Sequence, residues 1–392
     1  MITRDKSFYD LMAYGLGNAS FQEFVDHFKT KYNDPQTDGF AWDNEIQIDF
    51  TYYQLQAELG IATLPTYVDI DSAGPYKSQG EFKVGSNKIP RFKHGFAMNE
   101  KIIREKMVML QRFGEASITD ATRTALMNLL FDSVDKLLEG NQNALTYQRM
   151  QVVSTGKYSI TTDNNPQGIS GITFDFGIPD TNKATLTTTA RWWTNATHTV
   201  ANQGSASDPL GDMKAWRKAA TKKGTPLGCY EISQDLFDDL LGHTAVLSKI
   251  GYSLYPAAST SDIAVAYAQN LGDAVLKANM ERIIGCPIMV RDSKACVEKY
   301  DKNSKAMVKT TIDGFDIKNV AYVPSGTLGT IKAVEPIAVP DPAARLAYYD
   351  GGRTLIKQTF NTDTNTQYIS SECTALVVPS ASQYMYIYTV TA

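Results

Sequence analysis

One long amphipathic helix constrains this chain more than any other feature. Ile118, Ala121, Ala125, Leu126, Leu129, Leu130, Val134, Leu137 and Leu138 recur at helical spacing along a single face, which is the 3.6-residue period of a helix with one side buried. Ser117 followed by Asp120 supplies a capped start, and Gly140 is expected to interrupt the run. Helical spacing resumes over residues 144–153, and Thr155-Gly156-Lys157 then turns the chain into a strand, Tyr158-Ser159-Ile160-Thr161. A helix of this kind needs a layer to cover its apolar face, and the strand it feeds points to an α+β lobe.

Two segments upstream lack the means to form a core of their own. Ser20 with Glu23 has capping-box spacing, Phe21, Phe24, Val25 and Phe28 form an aromatic stripe, and Asn33-Asp34-Pro35 ends it. So short a helix must be covered either by its own subunit or by a neighbouring copy. Over residues 67–96, Gly74-Pro75, Gly80, Gly85, Pro90 and Gly95 punctuate short strand-like pieces, which reads as a long hairpin arm. Lys77, Lys83, Lys88, Arg91, Lys93 and His94 make this arm basic. It is either a solvated hairpin or an arm laid across a partner's acidic surface.

Downstream, Asp208-Pro209 is a helix start, since Asp caps and Pro suits the first turn, with Trp216 on the helix and Lys222-Lys223-Gly224 closing it. A strand, Gly228-Cys229-Tyr230-Glu231-Ile232, precedes a helix capped by Ser233, then a helical region over 262–284 and a strand, Pro287-Ile288-Met289-Val290. This alternation reads as a compact α/β layer. The end of the chain returns to β structure in Val320-Ala321-Tyr322-Val323-Pro324, Ala375-Leu376-Val377-Val378-Pro379 and the aromatic run 384–390, whose side chains are expected to bury on both faces.

Signatures of chemistry are sparse. Lys plus Arg number 38 against 42 Asp plus Glu, a formal net charge of -4, which argues against a dedicated duplex-DNA binder. No window approaches the apolar length of a membrane span. Cys229, Cys286, Cys296 and Cys373 form no CxxC pair, and His27, His94, His198 and His243 show no metal-ligand spacing. No Walker loop, GxGxxG after a strand or GxSxG elbow is present. Asp69 and Asp71, flanking Ile70 on one face of a strand, are the best carboxylate pair for a cation or for acid–base work, although Asp pairs at strand ends are usually solvated. No catalytic, metal or cofactor residue is named.

Three stretches, in order, resemble a known family. Residues 145–160 (LTYQRMQVVSTGKYSI) look like a junction of helix, Thr-Gly-Lys turn and strand; residues 207–216 (SDPLGDMKAW) are similar to a tryptophan- or aspartate-proline-rich helix start; and residues 320–329 (VAYVPSGTLG) look like a strand with a Pro-x-Gly turn. Together they resemble the major capsid proteins of tailed bacteriophages, of the Hong Kong 97 fold, and in particular the lambda-type capsid subunits. The resemblance implies an α+β subunit with an N-terminal arm and lead-in at 1–66, an extended loop at 67–97, a peripheral domain with a spine helix at 98–225 and 322–392, and an axial domain at 226–321. It implies self-association through hexamers and pentamers into an icosahedral head around double-stranded DNA, without sequence-specific binding, membrane or cofactor. Its partners would be a portal protein, decoration or minor capsid proteins, and, because Met1 leads directly into the arm, a separate scaffolding protein. The product would reside in the virion after assembly in the host bacterial cytoplasm. Subunit contacts are expected at Phe21, Phe24 and Phe28 of the arm and at Lys83, Lys88, Arg91 and Lys93 of the hairpin. A tail-tube or baseplate protein is the nearest rival, and an α+β enzyme using Asp69 and Asp71 is a more distant one.

Overall fold

The computed structural model describes residues 39–57, 82–98, 120–292, 294–302, 304–338, 344–361 and 366–392, together with residues 22, 101, 105 and 108. In chain order, β1 (Phe40–Trp42), β2 (Thr51–Ala57), β3 (Phe82–Lys88) and β4 (Arg91–Met98) precede helix α1 (Asp120–Thr155), which leads into β5 (Lys157–Ile160), β6 (Ile172–Asp175) and β7 (Lys183–Thr185). Helix α2 (Pro209–Lys222) and strand β8 (Gly228–Ser233) come next, followed by α3 (Gln234–Leu241), α4 (Thr244–Leu254), α5 (Ser261–Gln269) and α6 (Asp273–Ile284). The remaining strands are β9 (Ile288–Arg291), β10 (Lys294–Asp301), β11 (Ala306–Asp313), β12 (Asn319–Pro324), β13 (Gly329–Val334), β14 (Arg345–Tyr349), β15 (Thr354–Asn361), β16 (Thr366–Pro379) and β17 (Tyr386–Thr389). By its contacts the chain divides into two units, one of Met1–Tyr52, Asn87–Leu145 and Thr330–Val377, the other of Tyr53–Ser86, Thr146–Gly329 and Val378–Ala392.

Helix α1 is continuous through Gly140, which corrects the expected interruption. A mid-helix glycine costs about 1 kcal/mol relative to alanine, too little to break a helix that packing supports. The reason for a glycine here is steric: a Cβ at position 140 would lie 2.4 Å from Cε1 of His94. That ring donates from Nε2 to the Leu137 carbonyl at 2.9 Å. Of the apolar face, Val134, Leu137 and Leu138 are buried. The helix ends where Gly156 takes φ +74°, a conformation that glycine adopts without strain.

The first unit carries the sheet β1-β13-β16-β15-β14, with β4 also pairing β16. The two strands flanking Ile89 and Pro90 therefore do not form a hairpin with each other: β3 pairs with β2, while β4 runs antiparallel to β16 with Lys93 opposite Glu372. In this unit α1 is tied to β16 by a hydrogen bond from Asn141 Nδ2 to Ser371 Oγ, 2.5 Å.

The second unit carries the sheet β7-β17-β12-β8-β9. Every residue of the central strand β12 is buried, as expected of a strand covered on both faces. Tyr386, Ile387 and Tyr388 of β17 are all buried as well. The helices enclose one core that includes Trp192, Trp193, Tyr230, Leu236 and Met280. Local signals act as expected at the helix starts: Asp208 accepts from the Gly211 amide at 3.1 Å and Ser233 from the Leu236 amide at 3.2 Å. The helical stretch expected over 262–284 is split at Asn270 and Gly272 into α5 and α6.

Candidate assembly surfaces

Of the expected contact residues, Phe21, Phe24 and Phe28 lie outside the described residues, as do Asp69 and Asp71 and the side chain of Lys83. Gln22, in the same arm, lies against β14, donating from Nε2 to the Tyr348 carbonyl at 2.7 Å and accepting the Tyr348 amide at 2.8 Å. A side-chain amide here completes hydrogen bonds that a neighbouring strand would otherwise make. Lys88 is exposed at the end of β3.

Arg91 and Lys93 converge on one carboxylate. Arg91 pairs with Glu372, and Lys93 Nζ lies 4.0 Å from the same oxygen, while both cationic side chains remain 52% exposed. The register explains this, since Lys93 faces Glu372 and Arg91 faces Thr374 on the adjoining strand. Exposed pairs of this type contribute about 0–1 kcal/mol each. Two cations on one anion leave a surplus positive charge at the surface.

The most heavily buried charges form a group that sequence spacing did not reveal. Glu231 on β8 is 1% exposed and accepts from Arg149 Nη1 and Nη2 at 2.6 Å each, and from Arg291 Nε and Nη2 at 3.0 Å each. Burial alone would raise the pKa of this carboxyl, but the two guanidiniums hold it below its usual 4.5. Arg149 is also 1% exposed. The group fastens the C-terminal end of α1 to β8 and β9. Beside it a shallow, open recess, with room for about 10 Å³, is lined by Ser233, Asp235, Arg291, Asp292, Lys294 and Asp313. Lys294 reaches Asp235 across it at 3.7 Å.

Ser207 Oγ and His243 Nε2 are 3.0 Å apart, an arrangement that on distance alone suggests an activated nucleophile. The hydrogen bonding argues otherwise. The Ala245 amide donates to His243 Nδ1 at 3.2 Å, so the proton of the neutral ring sits on Nε2 and points at the serine. Burial depresses the pKa of this ring to about 4, and its edge packs on Trp193. It is a core histidine capping α4. Among the described residues no group of three or more His, Cys, Asp or Glu could hold a metal ion, and no helix is long and apolar enough to cross a membrane.

Two further surfaces escaped the sequence reading. Strands β10 and β11 form a two-stranded ribbon, and α4 and α5 present exposed tyrosines, Tyr252, Tyr255 and Tyr267. The signals were present, in the turn-forming Asp301-Lys302-Asn303-Ser304 and in the scarcity of charge over 250–272, where Asp262 is the one charged residue.

The family model described as phage major capsid protein E matches residues 32–275 of the chain. No curated protein matches it. Among solved structures, the chain is similar to a phage-related protein from Bordetella bronchiseptica RB50, with 11% identity, a TM-score of 0.46 and coverage of 94% of this chain and 97% of that one. It is similar to a putative capsid protein of a prophage from Escherichia coli CFT073 at 13% identity and TM-score 0.45, covering 98% and 99%. The capsid of Myoviridae phage XM1 follows with 10% identity and TM-score 0.43 over 90% and 89%. Overlaps this loose carry no functional weight, whereas the family match spans more than half of the chain.

Proposed function

The chain belongs to the phage major capsid protein E family, and from that premise we propose that it builds, through hexamers and pentamers, the icosahedral head of a tailed phage around double-stranded DNA. The observation that carries this reading is the family match over residues 32–275. The mixed α+β architecture is compatible with a subunit of the Hong Kong 97 type. On that reading residues 67–97 are the extended loop, 98–225 and 322–392 the peripheral domain with α1 as spine, and 226–321 the axial domain. Shell proteins gain stability by summing many weak contacts, each correctable during growth. A net charge of -4 suits a container, since enclosed DNA is confined by the shell and need not be gripped.

The protein is a structural subunit of the virion, and we assign it no catalytic step. The tail-tube and baseplate readings lose their ground to the capsid family match. Assembly in the host cytoplasm with a separate scaffolding protein, and association with portal, decoration or minor capsid proteins, complete the proposal. Phe21, Phe24, Phe28, Lys83, Lys88, Arg91 and Lys93 are its proposed contact residues. The test is expression of the full chain, alone and with the scaffolding protein of the same phage, followed by sedimentation and electron microscopy. Closed shells or capsomers are expected; a monodisperse monomer under both conditions would overturn the reading.

A further inference from the structure

We propose that the β10–β11 ribbon of one subunit docks on the tyrosine face of α4 and α5 of the next copy of this chain, with the basic ribbon tip against the acids beside that face. This deepens the capsid reading and rests on it.

The ribbon is poorly covered for its length. Eight pairs run from Lys294 opposite Asp313 to Asp301 opposite Ala306, and among the described residues the ribbon joins no larger sheet. Two-stranded ribbons are marginal in water alone, and their outer edges present unpaired backbone groups. Its attachments include the ion pair of Lys294 with Asp235 at its base and a hydrogen bond from Gln167 Nε2 to the Glu298 carbonyl, 3.0 Å. Towards the tip, Tyr300 and Met307 face each other in register and are 53% and 46% exposed. Lys299, Lys302 and Lys305 are exposed there, with no ion pair among the described residues.

The opposing surface has complementary character. Helices α4 and α5 pack closely, since a Cβ at Gly251 would lie 2.1 Å from the Ala264 carbonyl oxygen. Their inner faces join the core through Val246, Leu247, Ile250 and Ala268. The outer face exposes Tyr252, Tyr255, Ile263 and Tyr267, with the rings of Tyr255 and Tyr267 stacked at 5.6 Å. Aromatic enrichment with loss of charge marks the centre of protein interfaces. The exposed acids near it are Asp262 in the first turn of α5 and Asp273 in the first turn of α6, without an ion pair among the described residues, while the one cation shown beside the tyrosines among the described residues, Arg282, is held by the Ser253 hydroxyl, to which its Nη2 donates at 2.7 Å. A cyclic ring requires two different surfaces on each subunit, one meeting the other on the next copy. A lysine-bearing, apolar ribbon tip and a tyrosine-rich helix face flanked by Asp262 and Asp273 are such a pair, and those two acids opposite the lysines set their register.

The test uses assembled particles made from isotope-labelled and unlabelled full-length chains, with a photoreactive benzoylphenylalanine replacing Tyr300. Cross-links between labelled and unlabelled chains that map to residues 252–273 are expected. Cross-links confined to one chain, cross-links elsewhere or to another protein, and absence of any product each overturn the docking. In parallel, Lys299→Glu/Lys302→Glu/Lys305→Glu should lower particle yield about tenfold or more, with recovery when Asp262→Lys/Asp273→Lys is added. Unchanged yield in the triple variant refutes the inference while the capsid reading stands, whereas a wild-type chain that forms no particles removes both.

Discussion

Replacing Glu231 by leucine removes a carboxylate that faces both Arg149 and Arg291. Guanidiniums do not shed their charge in proteins, so Arg149, 1% exposed, would keep its buried cation with the Glu231 carboxylate gone. Breaking a buried pair from one side costs about 3–5 kcal/mol. Arg291 escapes more cheaply, because its side chain is 12% exposed and it lines the recess with Asp235, Asp292 and Asp313. A loss near 4 kcal/mol is therefore expected, about 10 °C in the melting temperature of a unit of this size. Arg149→Met should cost clearly less, since Glu231 keeps Arg291. The double variant Glu231→Leu/Arg149→Met should regain most of the loss, because an apolar pair of similar volume carries no desolvated charge. Thermal melts followed by circular dichroism measure all three. If Glu231→Leu melts within about 2 °C of the wild type, or if the double variant is the least stable, the charge argument fails. The sign with pH follows from the lowered carboxyl pKa: the contribution is complete above 4.5 and is lost as pH falls through the folded-state value.

Three other outcomes are expected. Gly140→Ala should destabilise the protein despite alanine's helix preference, because the new Cβ meets His94; in a His94→Ala background the same change should stabilise by up to about 1 kcal/mol in denaturant titrations. Gly251→Ala should cost about 1–3 kcal/mol by forcing α4 off the Ala264 carbonyl, and a melting temperature equal to wild type would contradict that packing. His243, neutral down to about 4 when folded, takes up its proton near 6.5 when unfolded. Stability is thus full above 6.5 and falls by about 3 kcal/mol as pH drops towards 4, a dependence that His243→Asn, which keeps a cap for the Ala245 amide, should flatten.

Much of the local structure was legible. The period of α1, the Asp208-Pro209 and Ser233 caps, the Gly156 turn and strands β8, β9, β12 and β17 all follow from patterns a few residues long. Gly140 misled because its reason, the ring of His94, sits on a strand far upstream in the chain. The strand character of Lys88-Ile89-Pro90-Arg91-Phe92 was readable as part of a hairpin over 67–96, but the strand that begins at Arg91 pairs with β16. Glu231, in the middle of an apolar strand, could not be recognised as the hub of a charge group, since its arginines lie 82 and 60 positions away.

By itself, then, the sequence determined the helix starts at Asp208 and Ser233, the turn at Gly156, the strands of the second unit's core and which family the chain resembles. Those properties depend on dihedral preferences and hydrogen bonds closed within one or two turns. Tertiary structure alone decided which strand β4 joins, which charges are buried against each other, and that Tyr300 and Met307 of the ribbon and Tyr252, Tyr255 and Tyr267 of the helix face are exposed. Such choices compare the energies of many long-range pairings that look alike locally, and only the packed core selects among them.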